Sequence, residues 1–193
     1  MASLSHNQSD FIVKGLTNTL FLQTSTGHAA LNGQFKNLGD VASGGVDLPG
    51  RKSNRIGDTI NWQSGPFGGQ ALVVLQNDKD EGGPTDGAKT KDFTFGGRVS
   101  YAFTKNFKLL FDAGFTTREP DGGAKQSLNK FTIAPTLSLG GDFWSRPELR
   151  FYVTQAQWND AARLANSGAG QFNAVDPTRK SSTTAGAQIE VWW

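Results

Sequence analysis

Near the end of the chain Ala185, Ala187, Ile189, Val191 and Trp193 alternate with Gly186, Gln188, Glu190 and Trp192. A strict period of two puts each set on its own face of a β-strand. The second set joins an indole to an amide and a carboxylate. A pyranose ring has an apolar face of C–H groups and a rim of hydroxyls. A planar indole stacks on that face by dispersion, while amide and carboxylate groups hold the rim. Trp192, Gln188 and Glu190 are therefore candidates for weak, repeatable contact with a sugar, the kind of shallow site a conducting path needs. The competing role for a tryptophan beside a membrane is the aromatic girdle at the interface. Trp193 ends the apolar face and fits the girdle, and Trp62 and Trp158 read as girdle or loop residues. Trp144 lies in a short turn, where residue type alone leaves both roles open.

Other chemistry is poorly provided for. Cysteine is absent, which excludes disulfides and thiolate metal or redox sites. His6 and His28 are the only histidines, and neither has a carboxylate, serine or second histidine at catalytic or metal-ligand spacing. The glycines around Gly82 and Gly87 suggest a phosphate-binding loop, but Ala88 separates Gly87 from Lys89 and no strand-to-helix transition surrounds them. Asp78, Asp80 and Glu81 read as a solvated acidic loop. No enzyme, cofactor or metal site is expected. Nineteen basic and seventeen acidic residues are spread along the chain, so no polybasic face is available for nucleic acid.

The elements that would position these residues are strands. Phe93, Phe95, Gly97, Val99, Tyr101 and Phe103 oppose Thr94, Gly96, Arg98, Ser100 and Ala102; Phe107, Leu109, Phe111, Ala113 and Phe115 oppose Lys108, Leu110, Asp112, Gly114 and Thr116. Phe131, Ile133, Pro135, Leu137 and Leu139 oppose Lys130, Thr132, Ala134, Thr136 and Ser138. The same template predicts strands near residues 9 to 18, 27 to 36, 55 to 64, 69 to 78 and 148 to 158. That makes about nine strands of roughly ten residues, the length a tilted strand needs to cross a bilayer. Short links fall near 19 to 26, 65 to 68, 104 to 106 and 141 to 147, and long Gly- and Asp-rich links near 37 to 54, 79 to 91, 119 to 126 and 159 to 181. This alternation is that of an antiparallel transmembrane β-barrel with short periplasmic turns and long outer loops.

Composition agrees. Glycine supplies 24 of 193 residues and phenylalanine 14. Mean hydropathy is −0.42, as it must be when lipid-facing and lumen-facing residues cancel along each strand. The phenylalanine belt of Phe93, Phe95, Phe107, Phe111, Phe115 and Phe131 is expected to face lipid, and Arg98, Lys108, Asp112 and Arg150 to form a solvated, mutually neutralising wall. An odd strand count puts the first strand's start on the outer side, whereas a complete bacterial barrel has an even number. The first ten residues lack the pattern of a secretory signal. Residues 1 to 193 are thus expected to be an incomplete portion of a longer barrel. A small self-closed barrel with a structural or adhesive role and a soluble β-sandwich lectin are the alternatives; the lectin requires polar outer faces.

Two passages carry a resemblance. Gly141-Asp142-Phe143-Trp144-Ser145-Arg146-Pro147-Glu148-Leu149-Arg150-Phe151-Tyr152-Val153-Thr154, with Ala156-Gln157-Trp158-Asn159 after it, closely resembles the Trp-Ser-Arg-Pro passage of the maltoporin family of carbohydrate porins. Gly186-Ala187-Gln188-Ile189-Glu190-Val191-Trp192-Trp193 looks like that family's closing strand, and Val13-Lys14-Gly15-Leu16-Thr17 is similar to an earlier one. The resemblance implies the C-terminal half of an 18-stranded, homotrimeric barrel in the bacterial outer membrane, which passes oligosaccharides such as maltodextrins by facilitated diffusion. Trp144 and Trp192 would then lie on the family's aromatic slide, flanked by polar groups such as Gln188 and Glu190. An ungapped match places His28 where the family has an aromatic. The constriction loop and most of the charged track would belong to the other half.

Overall fold

The computed structural model describes residues 1–27, 51–82, 86–165 and 178–191. Nine strands form one antiparallel sheet in which each pairs with its neighbours in sequence. They are β1 (Ala2–Gln8), β2 (Leu16–Thr26), β3 (Lys52–Ser64), β4 (Phe67–Lys79), β5 (Lys89–Ala102), β6 (Phe107–Pro120), β7 (Gln126–Ser138), β8 (Glu148–Trp158) and β9 (Ser181–Glu190). Among the described residues a short helix, α1 (Asp160–Ala165), follows β8; Asn159 caps it, its Oδ1 accepting the N–H of Ala162 at 2.9 Å. No helix among the described residues is long and apolar enough to cross a membrane. The sheet is open. β1 and β9 are its edges, so a small self-closed barrel is not what these strands form.

The strands expected from residue 55 onward coincide with β3 to β9, but the start of the chain differs: β1 occupies Ala2–Gln8, where none is expected, and β2 begins at the end of the strand expected at 9 to 18 and runs past it. Residues 9–15 form a turn, and the expected short link at 19 to 26 lies within β2. Phe21 explains the slip: it stands on the polar face of β2 and turns an alternating pattern into the continuous run Leu20-Phe21-Leu22. Gly57 opposite provides the room, since a Cβ there would overlap the Phe21 ring. The preceding turn depends on Gly15, whose φ is +85° and whose N–H donates to Asp10 Oδ1 at 2.8 Å. The strand expected at 27 to 36 falls, after Gly27, outside the described residues. With that shift, the turns after β1, β3, β5 and β7 lie at one end of the sheet, and the connections after β2, β4, β6 and β8 at the other, those after β2 and β8 the longest and that after β6 only five residues.

Burial separates the two faces. Phe95, Phe107, Phe111, Phe115, Phe131, Ile133, Phe151 and Val153 are exposed on one. On the other, Gln76, Asp92, Ser100, Lys108, Thr136, Glu148 and Arg150 are buried. Apolar-out and polar-in is the reverse of a water-soluble sandwich and is the arrangement of a barrel wall standing in lipid. The lectin's polar outer face is absent. Trp62 lies on the apolar face near the short-turn end, 6.1 Å from the Phe67 ring, where a girdle residue belongs. Trp158 is buried at the end of β8, its indole N–H donating to the Arg179 carbonyl in the connection that follows at 3.0 Å.

Candidate functional site

The turn between β7 and β8 does not project from the sheet; it folds back over the polar inner face. Leu110 and Ala134 interrupt the polar phase of β6 and β7 and leave an apolar patch there. Phe143 covers that patch, 2% exposed, with Tyr152 packed beside it. The Phe143 N–H donates to Gln63 Oε1 at 2.8 Å. In a flat sheet β3 and β7, four spacings apart, would be about 19 Å from one another. The contact closes because the wall curls and the turn reaches across it.

This placement aims Trp144. Its ring stands edge-on to Phe143, centroids 4.9 Å apart at 87°, and lines a cavity of about 380 Å³ with Asn61, Gln70, Arg98 and Asp112. Arg98 and Asp112 are register partners on β5 and β6. They form a fork, Nε to Oδ1 at 2.5 Å and Nη2 to Oδ2 at 2.9 Å. The same pair borders a smaller recess of about 150 Å³ with Arg150, Tyr152, Thr154 and Gln188. Tyr152 lies over Gly186, where a Cβ would meet its hydroxyl. An indole, a tyrosine, three amides and an ionic fork thus face one continuous stretch of inner wall. Such a surface offers stacking faces and hydroxyl partners side by side.

Glu190 stands differently. Its carboxylate is 2.5 Å from Arg150 Nη2 and 3.2 Å from Arg146 Nη2. It closes a cluster in which Glu148 bonds Arg150 and lies 2.9 Å from Arg146 and 2.5 Å from Lys108. Lys108 and Arg150 were expected on a solvated wall. Mutual neutralisation is observed, but solvation is not: Lys108 is 0% and Arg150 4% exposed. The folded-back turn covers Lys108, whose ammonium sits under the Asp142 and Phe143 carbonyls, and Arg150 is paired with Glu148 and Glu190, while the fork at Arg98 stays partly open. Arg146, in the turn itself, has its pKa lowered by burial, with Glu148 and Glu190 pulling the other way.

The structure therefore brings Trp144 and Gln188 to neighbouring recesses and ties Glu190 into the ion cluster beside them. Trp192, Trp193 and His28 lie outside the described residues. Phe143, Gln63 and Tyr152 were not singled out from sequence. The signal for the first was available: two apolar residues in a polar phase, Leu110 and Ala134, require an apolar cover. Residues 83–85 of the glycine-rich stretch lie outside the described residues; around them the Gly82 N–H donates to Asp86 Oδ1 at 2.7 Å, and the elements on either side are the strands β4 and β5.

An open antiparallel wall, apolar outside and polar within, with short turns at one end and the longest connections at the other, defines a porin-type barrel sheet. The family model described as LamB porin matches residues 1–193, and the chain belongs to the LamB porin family. The family consists of channels, not enzymes. Over 98 residues the chain is 33% identical to a maltoporin of Photobacterium profundum. That match takes in 50% of this chain and 20% of the relative, so the aligned part spans about one fifth of that protein.

Proposed function

We propose that this chain is part of a trimeric maltoporin-like barrel in the bacterial outer membrane, and that residues 1 to 193 are the C-terminal portion of it. The barrel passes maltose and maltodextrin-type oligosaccharides by facilitated diffusion. The relative's name and the Trp-Ser-Arg-Pro passage support this reading, but the observation that carries it is the placement of Trp144 in an inner-wall cavity beside the Arg98–Asp112 fork. Trp144 and Trp192 supply stacking faces. Gln188 hydrogen-bonds hydroxyls from its recess. Glu190, its side chain 26% exposed, keeps lone pairs beyond its two ion pairs for the same purpose. The phenylalanine belt meets lipid, the short turns face the periplasm, and partner strands complete the edges at β1 and β9, whose backbone groups would otherwise be unpaired in hydrocarbon.

The test is ion conductance of the full-length protein in planar bilayers with maltodextrins added. Saturable block by maltohexaose is expected, weakened on the order of tenfold in Trp144→Ala, the equivalent of about 1.4 kcal/mol of stacking. Conductance indifferent to maltohexaose, or block unchanged in both Trp144→Ala and Trp192→Ala, would overturn it.

A further inference from the structure

We propose that Lys108, Glu148 and Gln63 are positioning residues for Trp144: they lock the β7–β8 turn onto the inner wall and so set where the indole stands in the path. The proposal rests on the sugar-channel reading for its consequence, but not for the lock itself.

Three ties hold the turn, two of them sharing Glu148. The Lys108 ammonium, wholly shielded from solvent, donates to the Asp142 carbonyl at 2.7 Å and lies 3.4 Å from that of Phe143. Glu148 holds that ammonium in place from the start of β8 at 2.5 Å. It also lies 2.9 Å from Arg146, whose Nη1 donates to the Phe143 and Ser145 carbonyls at 3.0 Å each. Gln63 takes the Phe143 N–H from the far side. The backbone on both sides of Trp144 is therefore fastened, while the indole itself is 48% exposed. A turn needed only to join two strands has no use for a buried five-charge cluster, which is costly to desolvate unless every member is paired. What the cluster adds is a fixed, inward geometry for the residue between the ties. It carries three cations, Lys108, Arg146 and Arg150, and two anions, Glu148 and Glu190, so removing Lys108 alone leaves its charges balanced.

Two variants, Lys108→Met and Gln63→Ala, each made in the full-length protein with and without Trp144→Ala, test the lock. In the Trp144 background each should weaken maltohexaose block by about tenfold, the loss expected for one charge-assisted or buried hydrogen bond. In the Trp144→Ala background each should change it less than about twofold, because the coupling runs through the indole. Sugar-free conductance and the heat-resistant oligomer should be unchanged, and Lys108→Arg should restore most of the affinity. Losses equal in both backgrounds would overturn the proposal. The second readout needs no sugar. Residues 1 to 193 lack cysteine, so in full-length protein with any cysteine outside them replaced by serine, a single Ser145→Cys reports turn release by its rate of modification with a small charged thiol reagent. That rate should rise at least about tenfold with Lys108→Met or Gln63→Ala; an unchanged rate defeats the lock even if the wild-type channel shows no sugar block.

Discussion

Arg98 and Asp112 stand directly opposite one another on β5 and β6 and share two parallel bonds, Nε to Oδ1 at 2.5 Å and Nη2 to Oδ2 at 2.9 Å, in the cavity that Trp144 lines. The planar fork holds both groups in one orientation, so their remaining donors and lone pairs point in fixed directions. Lysine cannot reproduce it. Arg98→Lys is expected to weaken maltohexaose block several-fold, about 1 kcal/mol, by loosening the polar rim beside the indole. Because both side chains are more than a quarter exposed, at 28% and 30%, the thermal unfolding midpoint should move little. Titration of the block in the variant, with a melting curve alongside, checks both halves.

Gly68 is required by the turn that covers the inner wall. A Cβ at that position would come within 2.7 Å of the Phe143 Cβ and overlap the Gln63 side-chain amide. Gly68→Ala is expected to push the turn outward at a cost of about 1–3 kcal/mol. It should also release Trp144, so stability and sugar block should fall together. Gly65→Ala, where a Cβ meets nothing but the φ is +54°, should lower stability and leave the block intact.

Phe95 sits near the middle of β5 on the apolar outer face and is 56% exposed. Phe95→Lys is expected to cost about 2–4 kcal/mol of folding free energy in a bilayer, the penalty for a cation near the midplane of a barrel's lipid face. Urea-driven unfolding from phosphatidylcholine vesicles measures it. Phe107→Lys, at the short-turn end of β6, should cost distinctly less, because its ammonium reaches the interface.

Asp160, in α1 beyond the end of β8, has its carboxyl held below the ordinary range, chiefly by a hydrogen bond from Lys180 with Arg163 adding to it and desolvation opposing. The ties to Lys180 at 2.6 Å and Arg163 at 3.2 Å are therefore at full strength above the unfolded carboxylate value of about 3.9, and are lost as pH falls through the depressed folded value. Hydrogen exchange in α1 should quicken over that acidic window. In Asp160→Asn the exchange should be faster already at neutral pH and show no such step.

Much of the wall was legible from residue types alone. Phe93 to Phe103, Phe107 to Phe115 and Phe131 to Leu139 alternate, Leu110 and Ala134 apart, so β5, β6 and β7 and the faces they present follow from the two-residue period of a strand. The family follows from the Trp-Ser-Arg-Pro passage, whereas the connection lengths follow the expected alternation only in part: the link after β6 has five residues and that after β7 nine. Where a side chain broke phase for a tertiary reason, the pattern misled. Phe21 points inward over Gly57, so by its pattern much of β2 resembles a link.

Sequence by itself thus determined an antiparallel wall with one apolar and one polar face, and the residue types each face offers, because alternation and turn chemistry are local. It could not show that Lys108 and Arg150 are buried, that Glu190 is spent largely on two arginines, or that Gln63 takes the N–H of a residue 80 positions away. Those facts depend on ion pairs between strands and on a turn folding back across four strand spacings onto an apolar patch. Burial of a charge is a property of what lies over it, and only the tertiary structure decides what that is.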